Sequence, residues 1–422
     1  MIKKEQTPNG NGRKKAARDR EHVQTESIPI AGRVEKQRNR YYLRVSRRYM
    51  VAAVLVLLLL VLYIMCVTVF FGEYVTYDNL KYLLRDMDAI TVGGHDDFER
   101  IVYNASENTE AEYFRNGIAL CDTDKYRYYD TSGVMLVEEE LGYKNPVMVS
   151  SEKYMLVYDL DGRGYSIFNQ LTRIIDREAE GSIIAADICE DGSYIIVIRS
   201  NETKYVAQLY NGAYNKVLSV YKDSYVFDVA LSRDGRTAVI CSICPGDSDF
   251  DCEIDICERG KNESVKKISR THTMPLDAYA YDGGFAVLCS NEIMFFDEKG
   301  NDIRETVFNG MSLRYADING KTAAVAGTTN ALGSENRVIV FDMENTPGNV
   351  LLDREYPIRI MGIYASRSDG SAAYLKLHDT VARIGKDGEI VNAQTESEIL
   401  TVVPMNTGAL VCTSTAAYRI SD

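Results

Sequence analysis

A short segment rich in carboxylates could hold a hard cation such as Ca²⁺. Carboxylates at alternate positions of a tight loop can converge on one cation, as they do at positions 1, 3, 5, 7, 9 and 12 of a calcium loop. Six acidic residues here fit that register: Asp247, Asp249, Asp251, Glu253, Asp255 and Glu258. Position 6 requires glycine for its sharp turn, and here it is Cys252. The sequence leaves two interpretations open: calcium binding by Asp247, Asp249, Asp251 and Asp255, or a solvated acidic hairpin tip.

Four of the nine cysteines lie on the same predicted hairpin and raise the question of a metal or a disulfide. They are Cys241, Cys244, Cys252 and Cys257. Zinc sites usually take two closely spaced pairs of ligands, and the second pair here is spaced too widely. A disulfide between Cys244 and Cys252 and a set of reduced thiols are both compatible with the spacing.

No other arrangement of residues predicts chemistry. The four histidines are isolated from one another and form neither a metal-binding pair nor a nucleophile arrangement. The tripeptide Gly320-Lys321-Thr322 resembles the end of a phosphate-binding loop but lacks the upstream glycine and the strand-to-helix step. We therefore predict that the chain is not an enzyme, with no catalytic residues, no cofactor and no metal site.

The segment that decides where the protein lies is an uncharged run of 22 residues, Met50–Phe71. It is long enough to cross a bilayer as a helix. Residues 1–49 hold 14 Lys and Arg against 5 Asp and Glu, and a basic flank stays on the cytoplasmic side. A cleaved signal peptide would have a shorter apolar stretch and small residues at its exit. The pattern predicts a single-pass signal anchor in the cell membrane, with the N-terminus in the cytoplasm.

This anchor divides the chain into four parts. Residues 1–49 form a basic cytoplasmic tail, predicted to be disordered because it has too few apolar residues to offset the entropy of ordering. Residues 50–71 form the transmembrane helix, and 72–97 form a stalk, helical over Thr76–Met87, with a linker. Residues 98–422 form the extracytoplasmic domain. The tail's one basic cluster lacks interleaved aromatic residues, so we predict no nucleic-acid partner.

The outer domain repeats a tight turn followed by a small and apolar strand. The second residues of these eight turns are Gly117, Glu152, Gly192, Gly235, Gly283, Gly320, Gly370 and Gly408, spaced 35 to 50 residues apart. Units of about 40–45 residues with four strands each are typical of β-propeller blades. We predict an all-β fold, an eight-bladed β-propeller after a single transmembrane helix, with seven blades as the second choice.

The final unit supplies only three strands before the chain ends at Asp422. An unassigned strand, Phe98–Asn104, precedes the first complete unit. Because an open ring would expose strand edges, we predict that this strand completes the last blade and closes the ring.

Cysteine and tyrosine usage follows the repeat. Cys121, Cys241, Cys289 and Cys412 fall in the second strand of four different units, which indicates small, buried structural positions. Tyr126, Tyr128 and Tyr129 could stack on a sugar or peptide, although strands favour tyrosine in any case.

The layout of basic N-terminus, single anchor helix, repeated turns and absence of Trp resembles a family of bacterial membrane-anchored β-propeller proteins of unknown function. The family implies no activity and no site residues. We expect a protein-interaction scaffold at the bacterial cell envelope that binds an envelope protein or peptide. The alternative is a module that binds or senses a carbohydrate or another small ligand, and a third interpretation is an envelope hydrolase. The oligomeric state is left open.

Overall fold

A computed structural model describes residues 28–70, 100–103, 109–130, 133–246, 250–261, 263–330, 335–368, 370–394 and 398–420. The chain divides into two compact units, residues 1–75 and 76–422. The predicted stalk helix Thr76–Met87 and the linker that follows it lie outside the described residues.

The first unit contains one helix, α1, Ile28–Phe70. Its stretch Tyr42–Met65 is long and apolar enough to cross a membrane, and none of that stretch is buried in the protein. The helix begins well before Met50, so residues 28–49 are helical where the sequence predicts disorder. These residues include several good helix formers, and extending an existing helix costs far less than nucleating a new one.

The second unit is an eight-bladed β-propeller, as predicted. Each blade is a four-stranded antiparallel sheet. Blades 1 to 4 are β2 Glu110–Phe114, β3 Gly117–Cys121, β4 Lys125–Tyr129, β5 Met135–Glu140; β6 Pro146–Ser150, β7 Met155–Asp159, β8 Gly164–Phe168, β9 Arg173–Glu178; β10 Ile183–Ile188, β11 Tyr194–Arg199, β12 Tyr205–Tyr210, β13 Lys216–Lys222; and β14 Tyr225–Leu231, β15 Thr237–Pro245, β16 Phe250–Glu258, β17 Ser264–Arg270.

Blades 5 to 8 continue the same meander. They are β18 Pro275–Tyr281, β19 Gly284–Cys289, β20 Glu292–Asp297, β21 Asp302–Val307; β22 Ser312–Ile318, β23 Thr322–Thr328, β24 Asn336–Asp342, β25 Val350–Tyr356; β26 Gly362–Ala365, β27 Ser371–Lys376, β28 Thr380–Gly385, β29 Ile390–Gln394; and β30 Ile399–Met405, β31 Gly408–Thr413, β32 Ala416–Ile420 with β1 Arg100–Val102. Six of the eight predicted second turn positions lie between the first and second strands of a blade, and the other two, Gly117 and Gly408, begin the second strand of blades 1 and 8.

The ring closes as the sequence predicts. Strand β1 pairs antiparallel with β32, with Ile101 opposite Ala417, and so becomes the fourth strand of blade 8. The first strands of neighbouring blades contact one another around the axis; examples are β10 with β14, β14 with β18, and β30 with β2.

The hydrophobic core lies between the blades. Second strands such as β3 and β19 are buried along their whole length, whereas outer strands such as β21 are almost wholly exposed. At the boundary of blades 4 and 5, Ile254 packs in one buried cluster with Phe285 and Met294. At the boundary of blades 1 and 2, the rings of Tyr126 and Phe168 stack with their centres 4.0 Å apart. Each blade therefore needs both neighbours to bury its faces.

The repeated turns impose backbone angles that few residues adopt. Gly283 has a φ of 85° and Gly235 a φ of 66°. Asparagine takes the corresponding position in blade 1, where Asn116 has a φ of 65°. Asp-Gly and Asn-Gly pairs recur at these turns because Gly and Asn tolerate the left-handed conformation.

Candidate functional site: the central channel and its mouth

The first strands of the blades surround a channel that widens at one end into a cavity of about 1100 Å³. Residues of all eight blades line this cavity. A second cavity of about 390 Å³ shares Glu112, Met148 and Arg367 with the first. We call the wide end, where the turns between first and second strands lie, the mouth.

Among the described residues, five half-buried acidic side chains of the first strands line the channel, and three of them tie one blade to the next. They are called the channel carboxylates: Glu112, Asp187, Asp228, Asp277 and Asp317. Asp187 accepts a hydrogen bond from the backbone N–H of Leu231 (2.7 Å), Asp228 from that of Ala278 (2.8 Å) and Asp317 from that of Ala365 (2.7 Å). Each donor lies in the first strand of the next blade.

Blades 1 and 2 are joined in a related way. The Ser150 hydroxyl donates to the Glu112 carboxylate, and the Met148 N–H donates to Glu110 over 3.3 Å. Four of the eight blade boundaries therefore carry a carboxylate bridge facing the channel.

The protein around the channel favours the protonated form of these carboxyl groups. Burial raises the pKa of Glu112 and of Asp187 to about 7, and that of Asp317 to about 6. Backbone hydrogen bonds to Asp187 and Asp317, and the Ser150 hydroxyl and Arg367 beside Glu112, act in the opposite direction. The side chains are only half-buried by surface area because the channel admits water.

Asp228 and Asp277 form a carboxyl pair across the boundary of blades 4 and 5. The two carboxyl groups lie close enough for the charge of each to act on the other, which favours a proton on one of them. Burial first, and then the charge of Asp277, raises the pKa of Asp228 well above its usual range. Burial also raises the pKa of Asp277. The pair titrates as a unit in which one proton is retained at a pH where exposed carboxyl groups are ionised.

These pKa values predict that the propeller loses stability as the pH rises from about 4 to about 7. The carboxyl groups of the folded channel keep protons that the unfolded chain releases near pH 4. Their contribution to the free energy of unfolding is therefore complete below pH 4 and is lost as the pH rises through the folded pKa values of 6 to 7. We expect Asp187→Asn to weaken this pH dependence in thermal melts between pH 5 and pH 8. The exposed Asp223→Asn serves as the control and should leave it unchanged. An equal slope in Asp187→Asn and the parent would contradict the assignment.

The mouth has a rim of mixed charge. Its cations are Arg115, Arg233, Lys321 and Arg367, and its anions are Glu152, Glu190, Asp282 and Glu344. The Arg115 Nε donates to the Glu152 carbonyl over 3.1 Å, whereas the Arg233 Nε lies 3.8 Å from the Glu190 carboxylate. The turns that carry these charges are held in place by a rigid ring, so a partner protein can recognise the rim.

The described part of the acidic segment lies in the third strand of blade 4 and does not line the cavity. Residues 250–258 form strand β16, not a loop. Glu253 lies 2.6 Å from Lys222, and Asp255 accepts hydrogen bonds from Lys222 and from the Ser264 hydroxyl (2.5 Å). Two of the proposed calcium ligands are thus already engaged by a buried lysine. Asp247 and Asp249 lie outside the described residues.

Strand register excludes the Cys244–Cys252 disulfide. Cys244 pairs with Asp251, and Cys252 pairs with Ile243, so the two thiols point to opposite faces of the sheet. The disulfide interpretation is wrong, and all eight cysteines among the described residues carry free thiols. Burial raises the pKa of Cys257 to about 11 and that of Cys412 to about 12, so these thiols are poor nucleophiles.

The tyrosines considered for ligand stacking are structural. Tyr126, Tyr128 and Tyr129 are all buried between blades 1 and 2 or blades 8 and 1. The Tyr128 hydroxyl donates to the Phe114 carbonyl over 3.1 Å. Within the described residues, no three His, Cys, Asp or Glu side chains converge in a metal-binding arrangement.

Residues 98–268 match the model of a family of unknown function, DUF5711. The match covers less than half of the chain, and it confirms the expected resemblance to a propeller family without a known activity. No curated protein matches the chain.

Among solved structures, BamB from Moraxella catarrhalis aligns with a TM-score of 0.49 at 11% identity, over 76% of this chain and 100% of that chain. The β-propeller domain of Cps50 (Swd1) from Myceliophteria thermophila aligns with a TM-score of 0.44 at 10% identity, over 70% of this chain and 99% of that chain. Likenesses this distant do not bear on activity or partners.

Sequence reasoning missed the channel carboxylates, although a signal for them exists. Asp187, Asp228, Asp277 and Asp317 each interrupt an apolar first strand, in four successive units, shortly before the repeat turn. An acidic residue recurring at that place points to a shared environment, here the channel. The rim residues carry no such signal because they lie in turns, where charged side chains are common.

Proposed function

We propose that the chain is a membrane-anchored, extracytoplasmic β-propeller that serves as a protein-interaction scaffold at the bacterial cell envelope. The partner binds at the mouth of the channel. The observation that carries this proposal is the cavity itself, which is open, about 1100 Å³ in volume and walled by residues from all eight blades.

The chemistry of the mouth favours a protein or peptide over an enclosed small molecule. Small-molecule pockets are mostly apolar and enclose the ligand. This cavity is open and has charged turns around it, and Tyr158 and Tyr279 also line it. Arginine and tyrosine are enriched where proteins bind one another, and charged residues are typical of the rim of such interfaces.

The proposed location rests on α1. Arg40, Arg44, Arg47 and Arg48 precede or begin its apolar stretch, and this supports a cytoplasmic N-terminus and therefore a propeller outside the cell. A net charge of −22 beyond the tail, obtained by subtracting the tail's +9 from the chain's −13, disfavours anionic wall polymers as partners.

Photo-crosslinking in intact cells tests the proposal. A photoreactive amino acid at the exposed rim positions Glu152 or Asp282 should give a discrete adduct with one partner protein. The same amino acid at Glu202 or Asp379, exposed turns at the opposite end of the ring, is the control and should give none. Equal adducts at both ends, or none at the rim, would contradict binding at the mouth.

Protease added outside spheroplasts should digest the propeller, and its protection would contradict the topology.

A second candidate is a small polar ligand inside the channel. The carboxylate lining, with Tyr158 and Tyr279, favours it because such groups hydrogen-bond to hydroxyls or amines. A ligand that binds only the folded state raises the melting temperature. A compound that does so, combined with the absence of protein adducts at the rim, would favour this candidate over the scaffold.

A further inference from the structure

Four hydrogen-bond donors gather on one side of the mouth. Arg233, Tyr279, Lys321 and Arg367 come from blades 4, 5, 6 and 7 in succession, and all four line the same cavity. We call this set the donor cluster.

Two members of the donor cluster approach one open point. A Cβ atom placed on Gly320 would lie 3.5 Å from the Tyr279 Oη and 3.6 Å from the Arg233 Nη2. Because residue 320 has no side chain, that point stays accessible from the cavity. Lys321 is the next residue in the same turn.

Arg367, from blade 7, is the fourth member of the cluster and lines the same cavity. Its guanidinium carbon lies 5.7 Å from the centre of the Tyr113 ring, which holds the side chain by a cation–π contact. Burial raises the pKa of Tyr279 to about 12, and the Arg367 and Arg233 guanidinium groups act against that rise. Both guanidinium groups therefore lie close enough to Tyr279 to act on it electrostatically.

Few acceptors lie within bonding distance of these donors, although the charge of Arg367 acts on the Glu112 and Asp317 carboxyl groups. Within the described parts of the chain, the Tyr279 hydroxyl, the Lys321 ammonium and the Arg367 guanidinium form no hydrogen bond or ion pair. The one carboxylate within 4.0 Å of a cluster cation among the described residues is Glu190, at 3.8 Å from the Arg233 Nε. Two forked guanidinium groups, an ammonium and a hydroxyl line the same cavity, and two of them, from Arg233 and Tyr279, lie beside one open point. Donors of these kinds suit planar or tetrahedral oxygen anions.

We propose that the mouth contains an oxyanion subsite in which Arg233, Tyr279, Lys321 and Arg367 bind a carboxylate or phosphate group. The channel carboxylates below it repel an anion, so the bound group stays at the mouth. One part of this inference rests on the proposed function: the anionic group bound in the cell is a carboxylate of the partner protein.

Anion binding to the full-length chain in detergent tests the subsite directly. The probes are sodium succinate and sodium phosphate, with sodium chloride at matched ionic strength as the reference, followed by calorimetry and thermal melts. We expect succinate or phosphate to bind and to raise the melting temperature above that in chloride. Arg233→Gln and Arg367→Gln should each weaken binding about tenfold, since each removes hydrogen bonds to a charged group.

Two further variants guard against a folding artefact. Tyr279→Phe removes only the hydroxyl and should weaken binding several-fold without changing the circular dichroism. Arg270→Gln, whose guanidinium lies 3.5 Å from Asp302 and from Glu305 on the outer strands, is the matched control and should bind like the parent. Binding that is no tighter than in chloride, or that is equal in the parent and the Arg233, Arg367 and Tyr279 variants, overturns the subsite.

The outcomes also separate this inference from the scaffold proposal. Anion binding that needs the donor cluster, without any protein adduct at the rim, supports the subsite and contradicts the scaffold. A rim adduct that survives Arg233→Gln and Arg367→Gln, with no anion binding, supports the scaffold and overturns the subsite.

Discussion

Replacing Lys222 by methionine is expected to lower the free energy of unfolding by about 3 kcal/mol. The Lys222 side chain is 6% exposed and contacts the Asp255 carboxylate, which is 0% exposed, as well as Glu253 at 2.6 Å. Removing the cation leaves a buried carboxylate without its main partner. Lys267, at 3.5 Å from Asp255 but largely exposed, compensates only in part. The measurement is urea or thermal unfolding of the parent and the variant.

The pKa values of both partners favour the charged pair. Burial opposes ionisation of Lys222, but its hydrogen bonds to Asp255 and Glu253 outweigh burial and raise its pKa. Burial likewise opposes ionisation of Asp255, while the Lys222 and Ser264 hydrogen bonds lower its pKa. The contribution of Asp255 is therefore complete above its unfolded pKa of about 4 and is lost as the pH falls below that value.

Two comparisons isolate the buried pair. Lys216→Met removes a largely exposed lysine that lies 3.3 Å from Glu180, and should cost less than about 1 kcal/mol. The double variant Lys222→Met with Asp255→Leu should recover part of the loss, because it leaves no unpaired charge. A Lys222→Met variant as stable as Lys216→Met would show that the pair does not stabilise the fold.

The second large effect is expected at the closure of the ring, from Ile101→Asp. Ile101 is 1% exposed on β1 and belongs to the buried cluster that joins blades 8 and 1. An unpaired carboxylate there costs several kcal/mol, and we expect a loss of about 4 kcal/mol or failure to close. The neighbouring Val102 is 69% exposed on the opposite face of the same strand, so Val102→Asp should change stability by less than about 0.5 kcal/mol.

Unfolding curves and limited proteolysis of the full-length chain distinguish the two substitutions. We expect Ile101→Asp to expose β32 and the other strands of blade 8 to cleavage, while Val102→Asp resembles the parent. Equal stability of the two variants would mean that β1 does not hold the ring closed.

The sequence was sufficient to predict the ring but not the site. Turn pairs such as Asp234-Gly235 and Asp282-Gly283 are recognisable in the sequence because the positive φ angle of the second residue restricts which residue types can occupy that position. Closure was predictable because a three-stranded last unit and an unassigned first strand need each other. Turn residue types and the number of strands in a unit depend on the local sequence, so the order of residues along the chain is enough to predict them.

Properties that depend on register or on neighbouring blades were not predictable. The spacing of Cys244 and Cys252 along the chain is compatible with a disulfide. The strand register pairs Cys244 with Asp251, however, and so places the two thiols on opposite faces of the sheet. The local sequence predicts Asp255 as a cation ligand, whereas in the structure Lys222 from another blade contacts its carboxylate. The donor cluster joins residues of four blades, and no local pattern links Arg233 to Arg367.

The pairing of β1 with β32 sets an order on synthesis. Ile101 lies opposite Ala417, at the other extreme of the domain, so blade 8 is incomplete until the last residues have left the ribosome. Until then, the growing array presents an unpaired edge at each end. The circle can be sealed only once β32 is available to pair with β1.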